Sequence, residues 1–526
     1  MSVLKNKMVQ LVIGVVLGLA VMLIPRPEGN IFEIIGDPGQ KVLNQLQGKF
    51  TPRENPDIKA KGYLVEATGT GPEATAAYLK QVADGAGVEN AKIEYANGIS
   101  PSAHRFAAVL IFLIFMFVLE PIPLEITALL IGVLLTATGV SNLKDAWGTY
   151  MHPVVMFIMC CLIFAIALEK AGITKRMGHF IASKAGDSPT KFTFILACGL
   201  GIASAVMHDA AATAIAIASM LPLMRAAGIQ PHTNTAKFMM LAVPFACSSG
   251  GMGTLVGGGR CMVSAAFLKE FTGIEITFLD WMIFAMPAAL ITVPASVFVV
   301  WLLYRPDPKI RLPKLEEEMG PWTSLEKRTV IILALAFLSW LTKSWHGLDY
   351  SVTGPVAVAA LVVAGSLKWD DIHQHLEWGT ALFIFGGGLS LGLAMENSGL
   401  ARYFANLFFP LVKGGGWLLL FAGIGVFGAL VTNVMANVAA AALILPIALP
   451  LARLEGVDPR IIALCLGMAT SFAMLLVIGC PPNAIAYSYR QFKAFDLTKA
   501  GLVAVPILLG LLVLVASVWW RILGLV

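Results

Sequence analysis

The chain carries one pattern twice. An apolar run closing on Ala167-Leu168-Glu169-Lys170-Ala171-Gly172-Ile173 returns as Ala394-Met395-Glu396-Asn397-Ser398-Gly399-Leu400. Each copy is followed by a Gly-rich apolar run, an Ala-rich segment closing on Leu-Pro, and an interrupted helix. In a membrane protein, duplicated halves that contain broken helices point to a secondary transporter, with its site where the halves meet near the bilayer midplane.

Composition decides that the solvent is lipid. Of the 526 residues 57% are hydrophobic and only 13% charged, too few to cover a soluble globule with polar surface. Apolar stretches run at 8–25, 105–120, 122–140, 150–168, 237–256, 278–304, 329–346, 353–367, 379–396, 459–478 and 500–521, each measured against the roughly 20 residues of a spanning helix. Two more, 191–226 and 415–451, are too long for one span and too short for two separated ones. They read as re-entrant helical hairpins, which a membrane tolerates only where they line a protected cavity. The expected fold class is an all-α polytopic membrane protein with inverted repeats, two re-entrant hairpins and two unwound helices.

Basic residues set the expected orientation. Lys5 and Lys7, then Lys170, Lys175, Arg176 and Lys184, then Arg305, Lys309, Arg311, Lys314, Lys327 and Arg328 all belong inside by the positive-inside rule. The N-terminus is then cytoplasmic, the C-terminus extracytoplasmic, and the halves have opposite topology in an inner membrane. The first apolar run has a cleaved signal peptide as its alternative, although Arg26-Pro27-Glu28 follows it rather than a small-residue cleavage site. The seven cysteines all fall in apolar spans and form neither a disulfide framework nor a metal-finger spacing. The net charge of +5 sits mainly in the inside loops and calls for no nucleic-acid partner.

Residues 30–100 differ in kind. They are polar, and Tyr63-Leu64-Val65, a helix start at Pro72-Glu73-Ala74 after Gly71, and Lys92-Ile93-Glu94-Tyr95 suggest strand, helix, strand. The expected organisation is a first span at 1–29, a small α+β extracytoplasmic insertion at 30–100, a first repeat at 101–304, a cytoplasmic linker at 305–328 and a second, inverted repeat at 329–526. The insertion reads either as a binding module or as a structured loop.

Aligned on the glutamate-glycine motif, the halves are offset by 227 residues, rising to 228 in the hairpins. Ser204 then matches Thr432, His208 matches Ala436, Asp209 matches Asn437 and Ala210 matches Val438. A hairpin tip exposes backbone groups and a helix N-terminus, whose partial positive charge suits an anion. The small residues Ala210-Ala211-Ala212-Thr213 and Val438-Ala439-Ala440-Ala441 admit a substrate to the backbone, or equally serve close helix packing. A second interruption follows in each half, at Ser248-Ser249-Gly250-Gly251-Met252-Gly253-Thr254-Leu255-Val256-Gly257-Gly258-Gly259-Arg260 and at Val477-Ile478-Gly479-Cys480-Pro481-Pro482-Asn483-Ala484. Such breaks free carbonyls that coordinate a cation while the next half-helix faces an anion.

With these motifs in place, the chain resembles the divalent anion/sodium symporter family, the dicarboxylate carriers of the ion transporter superfamily. Further matches are Pro27-Glu28-Gly29, Glu120-Pro121-Ile122-Pro123-Leu124, Phe383-Ile384-Phe385-Gly386-Gly387-Gly388-Leu389 and Pro481-Pro482-Asn483-Ala484-Ile485. The resemblance covers about residues 101–526 and the first span, and implies a homodimer that moves a small organic anion. In the family each tip reads Ser-Asn-Thr; here the tips read His208-Asp209-Ala210 and Ala436-Asn437-Val438. Carried over by position, the resemblance implies Asp209, Ala210, Arg260, Asn437, Val438, Cys480 and Pro481 for the substrate. For sodium or a proton it implies Ser204, His208, Asp209, Gly257, Thr432, Asn437 and Gly479.

An ionised Asp209 beside an anion repels it, so Asp209 is expected to hold a cation, carry a proton or pair with a base, for which Arg260 is the natural candidate. The planar fork of Arg260 also suits a substrate carboxylate or sulfonate. The plainer alternatives are Asp209 as an N-cap, His208 as a satisfied buried histidine, and Arg260 in a structural ion pair. The reading is a cation-coupled secondary transporter of a small di- or tricarboxylate or related anion, working by elevator-type alternating access, with no cofactor beyond a coupling sodium. An inorganic-ion carrier, a cation/proton antiporter and a sodium-independent anion exchanger are the alternatives. No metalloprotease, nucleophile-elbow or phosphate-loop motif supports an enzyme.

Overall fold

The computed structural model describes residues 7–27, 29–35, 53–54, 62–66, 72–85, 92–184, 186–313 and 320–526; Lys5, Glu28, Gly71 and Lys314, which bear on the sequence reading, lie outside the described residues. Most described residues are helical, and eight helices among them are long and apolar enough to cross a bilayer. They gather into two compact units, one of residues 1–150, 386–421 and 442–462, the other of 151–385, 422–441 and 463–526.

In the first unit the helix Lys7–Leu23 packs on Pro101–Leu119. Gly14 and Gly18 face the partner: a Cβ on Gly14 would stand 3.0 Å from Phe115, and one on Gly18 3.2 Å from the Ala108 carbonyl oxygen. Small residues at that spacing let backbones approach where lipid is as apolar as the side chains. The Gly386-Gly387 pair is used in the same way. A Cβ there would lie 2.5 Å from Tyr150 Cα or 2.7 Å from the Ala128 carbonyl oxygen, which already accepts from the Tyr150 hydroxyl at 2.7 Å.

Between the two packed helices in sequence stands an antiparallel sheet of order β2-β3-β1-β4, with β1 Ile31–Ile35, β2 Arg53–Glu54, β3 Gly62–Glu66 and β4 Lys92–Tyr95. Leu79 and Ala83 of the helix Pro72–Gly85 pack on Phe32, Ile34 and Val65, all buried. The sheet has two strands beyond the strand-helix-strand pattern. One of them, β1, is central and pairs Phe32 with both Val65 and Tyr95.

The duplicated glutamate-glycine motif has one local structure in both copies. The Gly172 N–H bonds the Glu169 carbonyl at 2.9 Å, and the Gly399 N–H bonds the Glu396 carbonyl at 3.0 Å. Gly172 at φ 78° and Gly399 at φ 82° turn left-handed, a conformation glycine adopts without steric cost, and open the helices Ile173–Ser183 and Leu400–Val412. These amphipathic helices do not stand out as apolar runs because only one stripe of each is buried.

The hairpin expected at 191–226 consists of Pro189–Met207 and Asp209–Ala226, which pack against each other. That at 415–451 consists of Gly416–Val431 and Asn437–Glu455. The expected spans 237–256 and 459–478 end early, at Gly250 and Ala469. Beyond Ala469 the freed backbone is held by amides rather than by a helix. Asn433 Oδ1 accepts from the Leu475 N–H at 2.6 Å, and Asn483 Nδ2 donates to the carbonyls of Ala473 at 2.8 Å and Leu476 at 3.1 Å. Pro481 and Pro482 do not break a helix; they begin one, Pro481–Ser488, where a missing N–H costs nothing. The helices Pro189–Met207 and Asn234–Gly250 touch backbone to backbone, so that a Cβ on Gly250 would lie 1.7 Å from the Gly201 carbonyl oxygen.

Arg176, on the amphipathic helix Ile173–Ser183, fastens the linker. It donates to the carbonyls of Gly320 at 2.7 Å and Pro321 at 2.9 Å and to Glu326 Oε2 at 3.0 Å, with its guanidinium 5.1 Å over the Trp322 ring. The Arg176 hydrogen bond, with that of the Thr323 N–H, pulls the Glu326 carboxyl down to about 2. A carboxyl held below its unfolded value stabilises fully above about pH 4.5 and loses that contribution as pH falls through about 2. Trp322 fluorescence is expected to hold steady from pH 7 to about 5 and to change between about 4 and 2, and Glu326→Gln is expected to show the acid spectrum at pH 7.

Candidate functional site

The helix Pro189–Met207 stops at His208, a non-glycine residue at φ 67° and ψ 140°. Strained backbone of this kind concentrates at functional positions. His208, not Asp209, caps the next helix: its Nδ1 accepts from the Ala210 N–H at 3.4 Å. The N-cap alternative for Asp209 is therefore corrected. Asp209, the first helical residue, is 2% exposed, with Oδ1 3.2 Å from His208 Nδ1 and Oδ2 3.0 Å from Arg260 Nη1. His208 Nδ1 has one role at a time. Unprotonated it accepts from Ala210; protonated it donates to Asp209.

Arg260 begins the helix Gly259–Thr272 and is 3% exposed. Its Nε donates to Ser471 Oγ at 2.7 Å, Nη1 to Asp209 Oδ2 at 3.0 Å and Nη2 to the Ser248 carbonyl at 3.0 Å. Glycines make room for it: a Cβ on Gly258 would lie 2.6 Å from Nη1, and one on Gly251 3.2 Å from Nη2. The preceding unwound segment is fixed by the Trp281 Nε1–H on the Met252 carbonyl at 3.0 Å, and by Thr254, whose hydroxyl bonds the Ala205 carbonyl.

The upstream hydroxyls paired by the duplication do the same thing. Ser204 Oγ reaches the Cys247 carbonyl at 2.8 Å, and Thr432 Oγ1 the Thr470 carbonyl at 3.3 Å. The residues that follow those carbonyls, Ser248 and Ser471, are the two serines that meet Arg260. At the second tip Thr432 Oγ1 also donates to Asn437 Oδ1 at 2.7 Å, and Asn437 is 8% exposed.

The remaining expected residues lie close by in sequence but play smaller parts. Gly257 and Gly479 are buried glycines of the two unwound segments; a Cβ on Gly257 would meet the Gly251 carbonyl oxygen at 2.3 Å, and one on Gly479 the Ala473 carbonyl oxygen at 3.2 Å. Cys480 Sγ lies 3.7 Å from Ser248 Oγ. Ala210 and Val438 sit half-buried in the first turns after the tips, and Val438 approaches Gly259 closely enough that a Cβ there would be 3.2 Å from its Cγ2. Pro481 is exposed. Ser248, Ser471, Asn433 and Asn483 were missed as site residues, although Thr470-Ser471 follows its helix as Cys247-Ser248 ends the other, a repetition readable at an offset of 223.

The family model described as the sodium:sulfate symporter transmembrane region matches residues 91–526. The chain belongs to this family. It is a transporter rather than an enzyme, and a multi-pass membrane protein, in line with the divalent anion/sodium symporter resemblance. An uncharacterized transporter of Haemophilus influenzae is 27% identical over 423 residues, which cover 76% of this chain and 88% of that protein. The sodium-dependent dicarboxylate transporter SdcS of Staphylococcus saprophyticus is 26% identical over 430 residues, 75% of this chain and 82% of that one. Among solved structures, the Alcanivorax borkumensis YdaH transporter matches with a TM-score of 0.49 at 15% identity, over 70% of this chain and 86% of that one, a likeness that carries no functional argument.

Proposed function

We propose that this family member carries a small dicarboxylate, with sodium as the coupling ion and alternating access of elevator type. The observation that carries the reading is the repeated arrangement at the breaks, where a helix-borne hydroxyl bonds a carbonyl at the end of a neighbouring broken helix in both halves. Such ends offer carbonyl oxygens to a cation and N–H groups to an anion. The similarity to SdcS, described as a sodium-dependent dicarboxylate transporter, supports the choice of ions. Asn437 at the second tip, with Thr432, Val438, Gly479, Cys480 and Pro481, forms the proposed anion and cation side; Asp209 serves as a fixed counter-charge.

The organisation proposed with it is the one expected at the outset: a first span at 1–29, an extracytoplasmic insertion at 30–100, inverted repeats at 101–304 and 329–526 joined by a cytoplasmic 305–328 linker, in a homodimer of an inner membrane. The opposite topology needs only that each helix hairpin return to the face it left. It therefore survives whether the tips stop at mid-depth or reach across.

In proteoliposomes an inward sodium gradient is expected to drive labelled succinate uptake, and Asn437→Ala to lower it about tenfold or more through the lost amide contacts. Uptake indifferent to sodium, or of sulfate and not of carboxylates, would sink this reading. The 3.2 Å approach of His208 Nδ1 to Asp209 favours proton coupling as the second reading, which a pH gradient without sodium separates from the first.

A further inference from the structure

We infer that the Arg260 guanidinium is a tethered cation that takes, in the first half, the place of a coupling cation, so that this half binds no sodium. The inference rests on the transporter reading and sharpens it. In the second half a hydroxyl, an amide oxygen and a carbonyl come together around Thr432, Asn437 and Thr470, with no basic side chain bonded to them among the described residues. In the first half the matching hydroxyl of Ser204 reaches the matching carbonyl of Cys247. One residue further on, the Ser248 carbonyl is already bonded by Arg260 Nη2 at 3.0 Å, and the tip residue that matches Asn437 is Asp209, bonded by Nη1 at 3.0 Å.

The two departures from the second half offset each other. Asparagine to aspartate adds one negative charge at the tip, and the arginine adds one positive charge against it. A free alkali ion in the same place would need oxygens that now accept from N–H groups, and it would stand beside a like charge in a poorly hydrated setting. The surroundings are shaped to the guanidinium, since side chains at Gly258 or Gly251 would collide with its nitrogens at 2.6 and 3.2 Å. Ser471 Oγ takes the third donor at 2.7 Å, which ties the built-in cation to the unwound segment of the second half.

The test compares the full chain with Arg260→Ala in detergent, melted in sodium and in potassium at equal ionic strength. Arg260→Ala is expected to gain a sodium-specific rise of about 2–4 °C beyond that of the wild type, because Asp209 is then free to take an ion from solution. Equal sodium shifts in the two proteins would overturn the proposal. Should Arg260→Ala fail to fold, Arg260→Gln is read in the same way. In proteoliposomes the wild-type sodium dependence of succinate uptake is expected to show a Hill coefficient no greater than about 1, and a coefficient near 2 would also overturn it. An absence of anion uptake altogether would strike the proposed sodium-coupled carboxylate function and leave the melts to decide this one.

Discussion

Arg260→Ala measured in potassium is expected to cost about 3–5 kcal/mol of stability, because it leaves the Asp209 carboxylate buried without its partner. Both side chains are 3% exposed, so the pair is shielded from bulk water in the wild type. Ser471 and the Ser248 carbonyl lose a donor in the same substitution. The check is the melting transition of purified protein, read with Asp209→Asn and the double variant. The double variant should recover a large part of the loss, since it removes the uncompensated charge. A cycle in which the two single losses simply add would show that the pair is not coupled. Arg260→Lys should behave closer to the alanine variant than to the wild type, because one ammonium cannot reach Asp209, Ser248 and Ser471 in the planar arrangement of the guanidinium.

Gly250→Ala is expected to be the most damaging single-methyl change in the chain's second unit. The new Cβ would stand 1.7 Å from the Gly201 carbonyl oxygen and 2.8 Å from Ser204 Oγ. Neither helix can rotate away without moving the unwound segment that follows Gly250. Overpacking ordinarily costs about 1–3 kcal/mol, and a clash with backbone rather than with a flexible side chain belongs at or above the upper end. The measurement is the yield of monodisperse protein and its melting temperature against Gly273→Ala, a glycine with open space around the missing Cβ, though at φ 71°. If Gly250→Ala melted with the wild type, the close approach of the two helices would be wrong.

The sequence displayed the duplicated architecture because its signals are local: glycine at a left-handed turn, alanine runs after a break, apolar runs of helix length. The pairing of Asp209 with Arg260 could be reasoned from charge alone, since neither is tolerated singly in an apolar interior. Ser471 could not, because a lone serine in an apolar stretch looks the same whether it faces lipid or a guanidinium 211 positions away. The end of the helix at Ala469, ahead of the interruption that begins at Val477, was hidden for a related reason. Asn433, whose amide oxygen holds the unwound backbone at Leu475, comes from another segment, so hydropathy continues across the break. The short helices Ile173–Ser183 and Leu400–Val412 escaped a search for apolar runs because their signal is a stripe.

The Asp209–Arg260 pair has an electrical consequence. Moving one elementary charge through a membrane potential of 100 mV involves work of about 2.3 kcal/mol. A carboxylate and a guanidinium locked at 3.0 Å carry no net charge between them, so the voltage does almost no work on this part of the protein however far it travels. Any current that accompanies turnover must then be carried by what the protein picks up and releases, and its sign and size report the cargo directly.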